Sequence, residues 1–185
     1  MPTRQIDIES YADYKQDSRI PVVGNLERDM QRPGKSKYAS SPISWDQTTE
    51  MARVLAQQIR SARVSVEMVV AVARGGWIPA RLLAEALGIR DMASIGIKYA
   101  EPERHTLSAY SIPSLLPSVN TILLVDDVLE SGRSVRWAAE HFVDLGKRVV
   151  TAALLVTDDS RLSPDFCFQR VSSVPVMPWD RMGEL

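Results

Sequence analysis

Cysteine is almost absent from this sequence, and so are the usual signs of export or membrane insertion. Cys167 is the single cysteine, which excludes an intramolecular disulfide and a cysteine-rich metal site. Because Phe166 and Phe168 flank it, we expect a buried, unreactive thiol. No apolar run approaches the roughly 18 residues of a membrane span, and the N-terminus lacks a signal-peptide pattern. These absences predict a soluble, cytoplasmic protein without a membrane partner.

Net charge is also nearly absent. The 22 lysines and arginines oppose 23 acidic residues, which leaves a formal charge of −1, and no basic run occurs. A protein that wraps nucleic acid needs a basic surface, so we expect no nucleic-acid partner. With 45% hydrophobic residues, a chain of 185 residues can bury one good core.

The chain divides into a polar beginning and a regular body. Residues 1–41 are irregular, with turn signals at Pro21 and Gly24, and we interpret them as an N-terminal extension. Residues 42–185 then form one domain, in which helix-like and strand-like segments alternate. Such alternation is typical of a parallel α/β sheet. The predicted helices are 45–61, 78–87 and 134–145, and the predicted strands are 66–73, 92–99, 121–126, 148–156 and 166–170.

The most informative segment is Ile122–Ser134, which has the sequence ILLVDDVLESGRS. Its four leading apolar residues indicate a strand buried on both faces. Asp126 and Asp127 follow, and their carboxylates can accept hydrogen bonds from vicinal hydroxyls. The loop Ser131–Ser134 can present backbone N–H groups and two hydroxyls to a phosphate at a helix N-terminus. These groups lie where open α/β sheets bind ligands, and together they suit a sugar phosphate.

A second loop follows another apolar run, Val69–Ala73. Gly75 and Gly76 allow a ligand to approach the main chain closely. Arg74 adds a forked, permanently charged donor for phosphate oxygens. This loop is therefore a second candidate for phosphate binding.

The two loops resemble those of the type I phosphoribosyltransferases. The family's motif for 5-phosphoribosyl pyrophosphate (PRPP) is two acidic residues and then Thr-Gly-x-Thr, and here Ser131 and Ser134 keep both hydroxyls. VAVARGGWIP is similar to the pyrophosphate loop of bacterial xanthine–guanine and archaeal hypoxanthine/guanine enzymes. ISWDQ at 43–47 and PWD at 178–180 resemble the same branch, so the likeness extends over about 44–180.

The resemblance implies a fold with several specific features. It implies a mainly parallel sheet flanked by helices, a mobile loop over the site and a small C-terminal hood. It also implies a cis peptide bond between Ala73 and Arg74. The long connection Tyr99–Asn120, which includes Arg104 and His105, is the expected mobile loop. A homodimer or homotetramer is expected from the family.

The resemblance also implies an activity. It implies Mg²⁺-dependent transfer of the phosphoribosyl group from PRPP to a nitrogenous base, above all a purine in salvage, with release of pyrophosphate. Glu130 matches an acidic residue near the purine N7, where it could take the base proton. The remaining expected contacts are Asp126 and Asp127 for the ribose and the metal; Glu130, Ser131, Gly132, Arg133 and Ser134 for the 5-phosphate; Arg74, Gly75 and Lys98, beside Tyr99, for pyrophosphate; and Thr157, Val174 and Trp179 for the base.

Two positions depart from the purine enzymes. Their base-recognising lysine is matched by Thr157, or by Leu155 under another alignment, and their stacking aromatic by Val174. Neither supplies a cation, and an aliphatic side chain lacks the stacking preference of an aromatic ring. Two alternatives therefore stay open: transfer to a non-standard heterocycle in a specialised pathway, and a PRPP- or nucleotide-sensing regulator without catalysis.

Overall fold

A computed structural model of the chain describes residues 42–99 and 106–180. The predicted extension 1–41, together with Arg104 and His105 of the predicted mobile loop, lies outside these ranges. The helices are α1 (Trp45–Ser61), α2 (Trp77–Leu87) and α3 (Arg133–Asp144). The strands are β1 (Met68–Ala73), β2 (Met92–Tyr99), β3 (Leu107–Ser111), β4 (Thr121–Leu129), β5 (Arg148–Thr157) and β6 (Phe166–Val171).

Six strands form one sheet in the order β3-β2-β1-β4-β5-β6. All neighbours are parallel except β2 and β3, which confirms the predicted mainly parallel sheet flanked by helices. From β1 the chain proceeds outward to β2 and β3, and it then returns to β4 on the other side of β1. The strand order therefore reverses between β1 and β4, and ligands of open α/β sheets bind at the carboxyl ends beside such a point.

Side chains on the two faces of the sheet form two core layers, one against α1 and α2 and the other against α3. Alternate residues of the central strands belong to opposite layers, and all are buried. The first layer holds Val69, Ala71, Leu123 and Val125, and the second holds Val70, Val72, Ile122 and Leu124. Burial on both faces explains why these strands are continuous apolar runs.

The beginning of α1 shows local chemistry that the sequence predicts. The Gln47 backbone N–H donates to Ser44 Oγ at 3.1 Å, and the Ser44 N–H donates to Gln47 Oε1 at 2.8 Å. This reciprocal capping box satisfies two backbone donors that a helix N-terminus leaves without partners. It fixes the point at which the domain's first described helix begins.

The structure differs from the predicted elements in two places. First, β4 continues to Leu129 instead of ending at residue 126, so Asp127 lies within the strand together with Asp126. Second, residues 107–111 of the predicted mobile loop form β3, antiparallel to β2. The ring of Tyr110 packs on Gly96, where a Cβ atom would lie 2.4 Å from it. The five residues of β3 have little apolar alternation, and their pairing with β2 defines the strand.

Two smaller observations complete the fold. None of the helices in the described ranges has the length and apolar character that crossing a bilayer requires. Cys167 is half-buried on β6, and burial raises the pKa of its thiol above the usual range. A raised pKa disfavours the reactive thiolate, in agreement with the predicted unreactive cysteine.

Candidate active site

The loop after β1 lies directly against the carboxyl end of β4. A Cβ atom on Gly76 would be 2.3 Å from the carbonyl oxygen of Val125, and one on Gly75 would be 2.4 Å from Asp127 Oδ1. Only glycine allows this approach, so the loop after β1 lies against the strand that carries Asp126 and Asp127. The peptide bond between Ala73 and Arg74 is cis, as predicted.

Asp127 is held by donors from two separate parts of the chain. Its Oδ1 accepts a hydrogen bond from the Val128 backbone N–H at 2.7 Å. Its Oδ2 accepts one from the indole Nε1–H of Trp179 at 3.1 Å. Asp126 has a local bond, because its Oδ1 accepts from the Asp127 N–H at 3.0 Å. The orientation of the Asp127 carboxylate is therefore defined before any ligand binds.

Both carboxyl groups are partly buried and electrostatically unfavourable in their charged forms. Burial, together with the neighbouring Asp127 carboxylate, raises the pKa of Asp126 well above its ordinary value. Burial also raises the pKa of Asp127, while the hydrogen bonds from Val128 and Trp179 oppose that rise. A hydroxyl donor or a cation would stabilise this concentrated negative charge.

Replacing Asp126 with asparagine should raise the thermal unfolding midpoint of the ligand-free protein at neutral pH. The pKa of Asp126 is raised in the folded wild type. At pH values above that pKa, the ionised carboxylate therefore lowers the stability of the folded state. As the pH falls through the raised pKa toward the ordinary aspartate value, the wild type takes up a proton and the advantage of asparagine shrinks. Thermal unfolding of both proteins over this pH range tests the expectation, and a constant difference between them would contradict it.

The segment after β4 surrounds a cavity of about 210 Å³. At the N-terminus of α3, Gly132 has a φ of +72°, and a Cβ atom there would lie 2.4 Å from Leu162 Cβ. The first turn of α3 contains no acidic residue, so no carboxylate within the helix itself offsets the positive end of its dipole. The cavity is lined by Tyr99, Asp126, Val128, Leu129, Glu130, Ser131, Gly132, Arg133, Ser134 and Val135. This is a suitable environment for an anionic group.

Two side-chain contacts support the walls of this cavity. The Thr157 hydroxyl donates to the Glu130 carbonyl oxygen at 2.8 Å, and Thr157 is only 5% exposed. The guanidinium carbon of Arg133 lies 5.3 Å from the ring centroid of Tyr99, at the distance of a cation–π contact. Thr157 thus holds the backbone of Glu130, and Tyr99 supports the side chain of Arg133.

Apart from Thr157, the predicted site residues fall into three groups. Asp126 and the whole segment from Glu130 to Ser134 line the cavity, as expected of a shared site. Gly75 and Trp179 both lie against Asp127, which follows Asp126 of the cavity wall. Lys98 and Val174 are exposed and do not line the cavity, nor does Arg74, which is exposed in the loop after β1.

Sequence reasoning missed two contacts of predicted residues. Thr157 was expected to bind the base, but its hydroxyl is bonded to Glu130. Trp179 was likewise expected at the base, and its indole N–H is bonded to Asp127. No local pattern could have predicted either partner. Base binding by either residue stays a prediction.

A mainly parallel sheet with carboxylates and a helix N-terminus beside its switch point is the arrangement at which open α/β proteins bind ligands. Comparison with known proteins gives the family. The family profile "Phosphoribosyl transferase domain" matches residues 44–182. The xanthine-guanine phosphoribosyltransferase of Gluconobacter oxydans (strain 621H) is 30% identical over 155 residues, which are 81% of this chain and 89% of that protein. The chain therefore belongs to the phosphoribosyltransferase family.

Solved structures agree with this assignment. The Helicobacter pylori xanthine-guanine-hypoxanthine phosphoribosyltransferase has a TM-score of 0.70 at 21% identity, over 76% of this chain and 93% of that one, which shows a shared fold. The purine phosphoribosyltransferase from Pyrococcus horikoshii Ot3 has a TM-score of 0.66 at 27% identity, over 75% and 91%. The type I fold expected from the sequence is confirmed.

Proposed function

We propose that this enzyme transfers the 5-phosphoribosyl group of PRPP to a purine base and releases pyrophosphate, with Mg²⁺ as cofactor. The main support is the cavity that joins Asp126 to the N-terminus of α3. Its two ends suit the two ends of a ribose 5-phosphate, hydroxyls at the carboxylates and phosphate at the helix. The purine acceptor is suggested by the names of the relatives from Gluconobacter oxydans and Pyrococcus horikoshii.

The 5-phosphate would bind in the loop from Glu130 to Ser134. Backbone N–H groups at the start of α3, the dipole of that helix and the hydroxyls of Ser131 and Ser134 all favour an anion. The Arg133 N–H lies 3.4 Å from Ser131 Oγ, so the loop is already compact. The positive φ of Gly132 allows its tight turn.

The ribose would bind at Asp126 and Asp127, whose carboxylates accept hydrogen bonds from the 2- and 3-hydroxyls. The same pair fits Mg²⁺, which prefers hard oxygen ligands. Within residues 42–99 and 106–180 no cluster of three potential metal-ligating side chains occurs. An ion at Asp126 and Asp127 would therefore take its other ligands from the substrate and water. When bound, Mg²⁺ supplies positive charge that stabilises the departing pyrophosphate.

The leaving pyrophosphate would lie along the loop after β1. Gly75 lets the substrate approach the backbone, and Arg74 and Lys98 are exposed cations that can turn toward it. Negative charge grows on pyrophosphate as its bond to ribose C1 breaks, so donors placed beforehand favour the transition state. The carboxylate of Glu130 would accept the proton that the base nitrogen loses.

The base pocket is where this protein departs from its relatives. Val174 is 48% exposed and can cover a ring with aliphatic surface, while the Thr157 hydroxyl is bonded to Glu130. A second candidate function follows from this observation, namely transfer of the phosphoribosyl group from PRPP to a different nitrogen heterocycle.

We also propose a cytoplasmic homodimer or homotetramer, as the family resemblance implies.

A pyrophosphate-release assay with PRPP, Mg²⁺ and a panel of nitrogenous bases tests the proposal. We expect release with guanine, xanthine or hypoxanthine, and none when the base or PRPP is omitted. Release only with another heterocycle would favour the second candidate. Measurable PRPP binding without release for any base would contradict catalysis and favour a sensing role.

A further inference from the structure

The C-terminal turn, Met177–Asp180, is fixed on the core beside the carboxyl end of β4. The Asp180 N–H donates to the Met177 carbonyl oxygen at 3.1 Å, and the Met177 N–H donates to Asp180 Oδ2 at 3.0 Å. Just before it, the Val176 carbonyl oxygen accepts from the Ile43 N–H at 2.9 Å. Met177 is buried in the core layer of α1 and α2. Trp179 therefore belongs to a turn that is held in place by hydrogen bonds and by the burial of Met177.

Packing determines where the indole ring of Trp179 lies. The ring is half-buried against the same core layer. Its centroid is 5.9 Å from that of Trp45, with the planes tilted by 57°. An indole has one polar hydrogen, and in Trp179 this hydrogen is donated to Asp127 Oδ2. Packing thus aims a single donor at one oxygen of a carboxylate in the candidate site.

A second tryptophan shows that packing alone does not require such a bond. Trp137 on α3 is also half-buried, and it packs against the other core layer. Its Nε1 atom is buried and has no hydrogen-bond acceptor in the described part of the chain. Among residues 42–99 and 106–180 a packed indole can thus leave its N–H without an acceptor, so packing does not by itself account for the bond from Trp179 to Asp127.

We propose that Trp179 is a positioning residue that holds the Asp127 carboxylate in the orientation required for PRPP binding. With Val128 on Oδ1 and Trp179 on Oδ2, each oxygen accepts one bond and keeps a second lone pair for substrate. Gly75 has no side chain and so leaves space for this carboxylate, since a Cβ atom there would lie 2.4 Å from Oδ1. Because the carboxylate is ordered in advance, binding loses less conformational freedom. This role rests on the proposed function.

The test compares Trp179→Phe with Trp137→Phe, two substitutions that keep an aromatic ring and remove an indole N–H. PRPP affinity in the presence of Mg²⁺ is measured by titration calorimetry, and steady-state kinetics give KM for PRPP and for the base. We expect Trp179→Phe to weaken PRPP binding about tenfold, the lower end of the effect of removing a supporting hydrogen bond at a site. The KM for PRPP should rise in parallel, and Trp137→Phe should match wild type in PRPP affinity and in both KM values.

Wild-type protein labelled with ¹⁵N-tryptophan provides a second measurement, which does not depend on catalysis or on the folding of a Trp179 variant. Saturating PRPP and Mg²⁺ should move the indole resonance of Trp179 and leave that of Trp137 in place. An unmoved Trp179 signal at saturation overturns the positioning role, as does equal PRPP affinity in the two variants. A wild-type protein that binds no PRPP overturns the proposed function itself, and the positioning role with it.

Discussion

Replacing Asp127 with asparagine should lower PRPP-dependent turnover by about a hundredfold or more, as the loss of a preorganised electrostatic group in an active site does. The carboxylate accepts from Val128 at one oxygen and from Trp179 at the other. An asparagine offers one oxygen and one NH₂ group, so one of these two donors would face another donor. The negative charge that attracts ribose hydroxyls and Mg²⁺ is lost as well.

The same variant should remain folded. Burial raises the pKa of Asp127, which means that the fold disfavours its charged form. Removing that charge offsets the lost hydrogen bond, so we expect the thermal midpoint to stay within about 4 °C of wild type. Turnover is measured as pyrophosphate release with the base that the panel identifies, and folding by thermal unfolding.

Asp165→Asn is a matched control for this experiment. Asp165 is also a partly buried carboxyl group whose pKa burial raises, and it accepts from the Thr151 N–H and hydroxyl, both at 2.8 Å. It lies just before β6, at the amino end of the sheet, away from the candidate site. Folded Asp165→Asn should turn over PRPP like wild type. Wild-type turnover by Asp127→Asn would remove Asp127 from the proposed site.

Replacing Gly76 with alanine should lower the free energy of unfolding by about 3 kcal/mol, the upper part of the range for overpacking. The new methyl group would lie 2.3 Å from the Val125 carbonyl oxygen and 2.7 Å from that of Val72. Both atoms belong to the backbone of central strands, so neither can move as a flexible side chain would. For a protein of this size, such a loss lowers the thermal midpoint by about 6–12 °C.

Gly146→Ala is a control that separates the steric overlap at Gly76 from the general effect of replacing a glycine. Gly146 has a φ of +75°, and a Cβ atom there would meet nothing within 4 Å. Its substitution should cost about 1 kcal/mol, from backbone conformation alone. Thermal unfolding of the two variants gives the comparison. Equal decreases in the free energy of unfolding would contradict the expectation, because they would show that β1 and β4 move to accommodate the methyl group.

Much of the fold was predictable because its signals are local. The uninterrupted apolar runs in β1 and β4 indicate strands buried on both faces, and the core layers confirm this. The capping box at Ser44 and Gln47 sets the beginning of α1. Strand β3 was not predicted, since its five residues depend on β2 as a partner and on the contact of Tyr110 with Gly96.

By itself, the sequence determined the chemistry of the candidate site: adjacent carboxylates following one apolar run, glycines following another, and a hydroxyl-bearing loop at the start of α3. These features depend on spacing along the chain, where strand periodicity, turn residues and helix caps act over a few residues. Only the tertiary structure decided which groups hold that chemistry in place. Trp179 reaches Asp127 across 52 residues and Thr157 reaches Glu130 across 27, because packing of the C-terminal turn and pairing of neighbouring strands bring them together. Such contacts have no local signature, since distance along the chain does not measure distance in the folded protein.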